Sequence, residues 1–139
     1  MWPQLLAKLR TLSMYYQTAH WQCKGSLFYQ DHLLFERLYN VVNEEIDGVA
    51  ERAVGITQDV SVVNLNDSLK LMAEIAIKLP MENKENVSYA QTALILEMDL
   101  LKMLGSLEPN VTLGTKDLMG AIANSHESNC YLLRQRISK

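Results

Sequence analysis

Cysteine is scarce in this chain. Two thiols in 139 residues, Cys23 and Cys130, are too few for a disulfide framework. No apolar run approaches the length of a membrane span, so no membrane partner is expected. No basic stretch leading into an apolar stretch and a cleavage site opens the sequence, so a signal peptide is not expected either. The thiols are therefore expected to be reduced and the protein cytoplasmic, and the N-x-S/T triplets at Asn66, Asn86 and Asn110 carry no meaning in that setting. An excess of charge is missing as well. Against 16 acidic residues stand 13 basic ones, for a net charge of -3, and no lysine-rich arm is expected ahead of the first helix. That balance leaves no electrostatic footprint for nucleic acid over the chain as a whole. Internal repeats, low-complexity stretches and linkers are absent, which together with the length predicts a single domain over residues 1–139.

What is present is helical periodicity. Leu5, Leu9, Leu12, Tyr16 and Ala19 step by 4, 3, 4 and 3, one apolar stripe entered through Trp2-Pro3. It fades at Lys24-Gly25-Ser26. A second stripe begins near Tyr29 and runs through Phe35, Leu38, Val42, Ile46, Val49 and Ala53, with Gly55 expected as its C-cap. Residues 56–66 read as a loop. Asn66-Asp67-Ser68 is the expected N-cap cluster of a short helix reaching Lys78 and stopped by Pro80. Asn86 is expected to cap the next long helix, with Tyr89, Ala93, Leu96, Leu100, Met103 and Leu107 inward, ending at Pro109-Asn110. Gly114-Thr115 opens the last helix, whose inward positions include Leu118, Ile122, Cys130 and Leu133. The fold class read from this pattern is all-α: a four-helix bundle of the ferritin-like kind, with a short extra helix in the long connection between the second and third helices.

Two of the three histidines, His20 and His32, flank the Lys24-Gly25-Ser26 break, which turns the chain back and lets them converge. On the second helix His32 and Glu36 are four apart, and so are Asp47 and Glu51; residues four apart share a face and could present two ligands to one ion. The pairs lie 15 residues from one another, roughly 22 Å along a straight helix, so one helix cannot bring both to one metal. Two copies packed antiparallel about a twofold axis can, and an isologous contact would form the site twice. Imidazole with carboxylate suits iron, zinc or manganese, and the hard oxygen ligands favour a site holding both Fe2+ and Fe3+. Against this stands the plain fact that exposed acids four apart on a helix are usually just solvated.

His20, Trp21, Gly25, Phe28, His32 and Glu36, continued by Asp47, Ala50, Glu51, Arg52 and Gly55, resemble the Dps family of miniferritins, and the resemblance covers nearly the whole chain. In that family two histidines twelve apart, an acid four further on, then an Asp and a Glu four apart form a ferroxidase centre shared across a dimer interface. The resemblance implies that His20, His32, Glu36, Asp47 and Glu51 are the iron ligands and catalytic residues. It further implies a dodecamer built from twofold dimers, which oxidises ferrous iron, usually with hydrogen peroxide rather than O2, stores a ferric mineral, and so protects DNA and the cell from oxidative damage. Glu36 stands where Asp is commoner. Asp117 and Glu127 are the best candidates for acidic pore residues near the last helix, with Ser125 where a further acid might be expected. Many members bind DNA. Here that binding is expected to be weak or absent, with Arg134, Arg136 and Lys139 as the one small basic cluster.

Three rivals follow from the residues themselves. A conventional ferritin holds its di-iron site within one bundle through Glu-x-x-His pairs, and the sequence has none. His20 and Cys23 with His126 and Cys130 would compose a structural zinc set, although the two cysteines also read as small buried hydrophobes and His126 as a satisfied or exposed histidine. A helical interaction module without metal is the third. Trp21 is expected in the core, and the seven methionines read as core filler.

Overall fold

The computed structural model describes residues 1–80 and 85–139. All regular structure among the described residues is helical: α1 (Trp2–Gln22), α2 (Phe28–Thr57), α3 (Leu65–Ala76), α4 (Asn86–Leu107) and α5 (Leu113–Ile137), with 3-10 turns at Val60–Val63 and Glu108–Asn110. They fall into two compact units, Met1–Asn86 and Val87–Lys139.

In the first unit α1 and α2 run antiparallel, since His20 meets His32 at one end while Ser13 donates to Asn43 further along. Of the expected stripes, Leu5, Leu9, Leu12, Tyr16 and Ala19 from α1 and Phe35, Leu38, Val42, Val49 and Ala53 from α2 are buried, while Ile46 is only half-buried. Tyr16 and Phe35 stack across the seam with centroids 6.3 Å apart. Between the helices Cys23 is extended and Gly25 takes φ +85, a left-handed conformation that favours glycine because a Cβ is strained there. α3 lies against α1 and leaves an apolar groove of about 300 Å³ bordered by Met14, Thr18, Leu69, Met72 and Ala76.

Several boundaries differ from expectation. Gly55 is not the cap of α2: the helix continues to Thr57, and Gln58 takes the left-handed position at φ 56. Gln58 is tolerated there because its own Nε2 donates to the Gly55 carbonyl at 2.8 Å, satisfying an oxygen at the fraying end. The stretch read as a loop carries the Val60–Val63 turn, started by Asp59, whose carboxylate accepts from the Ser61 N–H at 2.9 Å. α3 starts two residues early, after Asn64, and ends at Ala76 before a turn into Pro80; Asp67 lies in its first turn and Ser68 is buried. Of the methionines, Met72 and Met119 are buried while Met1, Met14 and Met98 are exposed; Met81 lies outside the described residues.

In the second unit α4 and α5 are antiparallel neighbours joined through the 3-10 turn at Pro109. The Thr112 hydroxyl caps α5 by accepting from the Thr115 N–H at 3.3 Å. Tyr89, Ala93, Leu96, Leu100 and Leu104 are buried on α4, and Met119, Ile122, Cys130 and Leu133 on α5, whereas Met103, Leu107 and Leu118, expected inward, are only half-buried.

Candidate metal centre

His20 is the last buried side chain of α1, and His32 sits in the second turn of α2. Their rings stack with centroids 3.5 Å apart and planes 15° from parallel. Each ring also bonds the other's main chain: His20 Nδ1 donates to the His32 carbonyl at 2.7 Å, and His32 Nδ1 donates to the His20 carbonyl at 2.7 Å. A carbonyl oxygen only accepts, so Nδ1 carries the proton in both rings, and in the neutral imidazole the lone pair is left on Nε2. This is how metal-binding histidines are oriented, because a hydrogen bond at one ring nitrogen fixes the tautomer and raises the basicity of the other. Phe28 stacks on His32 at 4.8 Å and Tyr39 meets His20 edge-on at 5.4 Å, bracing the pair from two sides.

The buried Cys23 thiol donates to the same His20 carbonyl at 3.4 Å, within reach also of the Phe28 carbonyl at 3.8 Å. Burial pushes this thiol above its ordinary pKa, and the negative charge of Asp31 acts in the same direction, so it remains a neutral S–H donor.

Glu36 is half-buried one turn beyond His32, and Asp47 and Glu51 are exposed further along α2. None of the three carboxylates makes an ion pair or a side-chain hydrogen bond among the described residues. The structure therefore brings His20 and His32 together and leaves Asp47 and Glu51 at a distance on the same helix. No three His, Cys, Asp or Glu side chains converge into a metal-binding group among the described residues of one chain. That statement covers the His–Cys zinc set too, and His126 Nδ1 is already engaged by Glu97. Asp117 and Glu127 are both exposed on α5, ten residues apart, about 15 Å along the axis.

Two features escaped the sequence reading. Trp21 is 64% exposed beside the histidine pair rather than in the core. Being one residue past the inward-facing His20, it is turned by about 100° off the buried stripe. In the second unit, Glu97 is fully buried and accepts from His126 Nδ1 and, at 3.1 Å, from Asn129 Nδ2. The signal was present in the spacing, since Ala93, Glu97, Leu100 and Leu104 form one buried stripe and Ile122, His126, Asn129 and Leu133 another.

No family model and no curated protein sequence matches the chain. Solved structures do. Over 99% of its length the chain is similar to Dps from Thermosynechococcus elongatus, at 22% identity and a TM-score of 0.88, covering 88% of that chain. It is also similar to antigen TpF1 from Treponema pallidum, at 20% identity and TM-score 0.75, covering 99% of this chain and 89% of that one. A third is a DPS protein from Vibrio cholerae O1, described as a member of a broad superfamily of ferritin-like diiron-carboxylate proteins, at 20% identity and TM-score 0.62, covering 99% and 86%. The chain thus has an all-helical, ferritin-like fold. Within that class its fold is that of the Dps structures, a four-helix bundle with a short helix in its long middle connection.

Proposed function

We propose that this protein is a cytoplasmic miniferritin, one ferritin-like domain per chain, whose substrate is ferrous iron. Fe2+ is oxidised at sites shared across a twofold contact, with hydrogen peroxide or O2 accepting the electrons, and the ferric product is stored inside a shell of twelve chains. His20, His32 and Glu36 of one chain and Asp47 and Glu51 of the other hold the metal. The observation that carries the reading is the reciprocally bonded histidine pair. Its two Nε2 lone pairs are ready for a divalent cation, and the carboxylates needed to complete a site sit unpaired on the same helix, too far along it to serve the same ion. Nitrogen donors hold Fe2+, and hard carboxylate oxygens stabilise Fe3+ as it forms. Support for the twofold contact comes from the exposed Met14, Leu65 and Leu69 bordering α1 and α3, apolar surface that a second copy would bury.

Complementation tests the reading. A His20→Ala, His32→Ala variant and an Asp47→Ala, Glu51→Ala variant should each lose iron oxidation. Unfolded and refolded together in equal amounts, about half the dimers are mixed, each with one whole site of two, so about a quarter of wild-type sites should return. Zero recovery from a mixture shown by light scattering to reassemble would remove the shared site, and a stable 15.8 kDa monomer would remove the shell as well.

Direct contact with DNA is weak or absent in this reading. A net charge of -3 provides little counterion release, so plasmid should not shift on a gel at physiological salt. A clear shift, abolished when Arg134, Arg136 and Lys139 are neutralised, would reverse that view.

A further inference from the structure

We propose that Asn86 is a positioning residue for the histidine pair, acting through the backbone of Lys24. The inference rests on the reading of His20 and His32 as iron ligands, and its test is chosen so that the two fail separately.

At the end of α1 the last carbonyls lack helical donors. The Ala19 carbonyl is satisfied by the Cys23 N–H at 2.9 Å. The next, on His20, would take the Lys24 N–H if the helix continued by one residue. Instead the Lys24 N–H donates to Asn86 Oδ1 at 2.9 Å, and Asn86 Nδ2 donates back to the Lys24 carbonyl at 2.8 Å. This two-point clasp holds Lys24 away from α1 and leaves the His20 oxygen to His32 Nδ1, with the Cys23 thiol as its second donor.

The consequence is chemical as well as geometric. The His20 carbonyl is what keeps the proton of His32 on Nδ1 and the lone pair on Nε2. Release Lys24, and its N–H becomes a competing donor for that oxygen. His32 then loses the bond that selects its tautomer and fixes its ring plane, and the reciprocal bond from His20 loses its register. An asparagine suits the position because Lys24 offers an N–H donor and a carbonyl acceptor, and one amide answers both. The helix-start position of Asn86 suits it for capping α4, yet its side chain is spent on the break 62 residues earlier.

The test uses the full-length protein without metal. In wild type the ring 15N shifts should report both His20 and His32 as the Nδ1–H form. Asn86→Ala should shift His32 to a mixture of tautomers and raise the Fe2+ concentration for half-saturation, measured without oxidant, by about tenfold or more. Asn86→Asp keeps the acceptor for the Lys24 N–H and should retain the wild-type tautomer. Asn86→Thr, which can still start α4 but whose Oγ1 falls one bond short of the Asn86 Oδ1 that takes the Lys24 N–H, stands in if Asn86→Ala does not fold. An unchanged His32 tautomer in the folded Ala or Thr variant overturns the clasp. A shifted tautomer with unchanged Fe2+ affinity overturns the proposal in the other way, by removing the histidines from the iron site while the clasp itself stands.

Discussion

The His20–His32 pair and His126 put the same side chain to work in two ways. In the first unit each ring is held at Nδ1 by a main-chain carbonyl, so nothing in its anchoring consumes Nε2. In the second, His126 is fully buried and held by the Glu97 carboxylate, which also takes the Asn129 amide. A backbone anchor orients a histidine and leaves it a ligand. A buried carboxylate anchor satisfies it and ties α4 to α5 in one register, the role for which buried polar groups are best attested. The difference lies in where each sits along its helix: His20 lies in the last turn of α1, where a carbonyl without a helical donor is left to take His32 Nδ1, whereas His126 lies mid-helix, where the main chain has none to spare.

Removing one partner from each setting should separate these roles most sharply. Glu97→Ala removes the carboxylate that takes His126 Nδ1 and Asn129 Nδ2 in the buried interior and should cost about 3–5 kcal/mol, lowering Tm by roughly 10 °C or more. At temperatures where that variant remains folded, its iron oxidation should match wild type. His32→Ala should do the reverse: a stability loss of about 1 kcal/mol, as for one hydrogen bond, with oxidation of Fe2+ reduced more than about tenfold. Thermal denaturation and initial oxidation rates on the same two samples decide it. Equal loss of oxidation in both variants at full foldedness would erase the distinction between ligand and structural histidine.

The same contrast shows what a sequence makes legible. The apolar stripes were readable because burial on a helix repeats every three or four residues, and the positions predicted from Leu5 to Ala19 are buried without exception. The break at Lys24-Gly25-Ser26 and the meeting of His20 with His32 followed from it. Helix ends were less legible, because a cap is decided by hydrogen bonds a single residue can supply in more than one place. Gly55 had the right composition for a C-cap, yet Gln58 closed the helix with its own amide. Asn86 looked like a cap and proved to be a tie to Lys24. Glu97 and His126 were hidden because a charged residue on a buried stripe is read as solvated until a partner is seen on the facing helix, and that pairing is tertiary. The 15-residue spacing already separates Asp47 and Glu51 from His32 along α2, too far for one ion within a single chain.

The smallest effect concerns the thiol beside the buried cluster. Cys130 lies on α5 next to Asn129, and burial pushes its pKa above the ordinary 9.0; the charges of Glu97 and Glu127 act in the same direction, while Arg134 opposes them. A folded-state pKa above the unfolded value means that the native protein binds the thiol proton more tightly than the unfolded chain does. The stability this contributes is fully present below about pH 9 and is lost as the pH rises above it. Cys23 shifts in the same direction and stays in place, so comparing wild type with Cys130→Ala isolates the second unit. From about pH 6 to 8 the two proteins should differ by a constant amount, the packing lost with the sulfur; above about pH 9 the denaturation midpoint of wild type should fall faster than that of Cys130→Ala, and the gap should narrow. Iodoacetamide should modify Cys130 readily only in denaturant, because the thiolate is the reactive form and the fold suppresses it. A gap that stays constant through pH 10 would show that the second unit tolerates charge at Cys130 despite its burial.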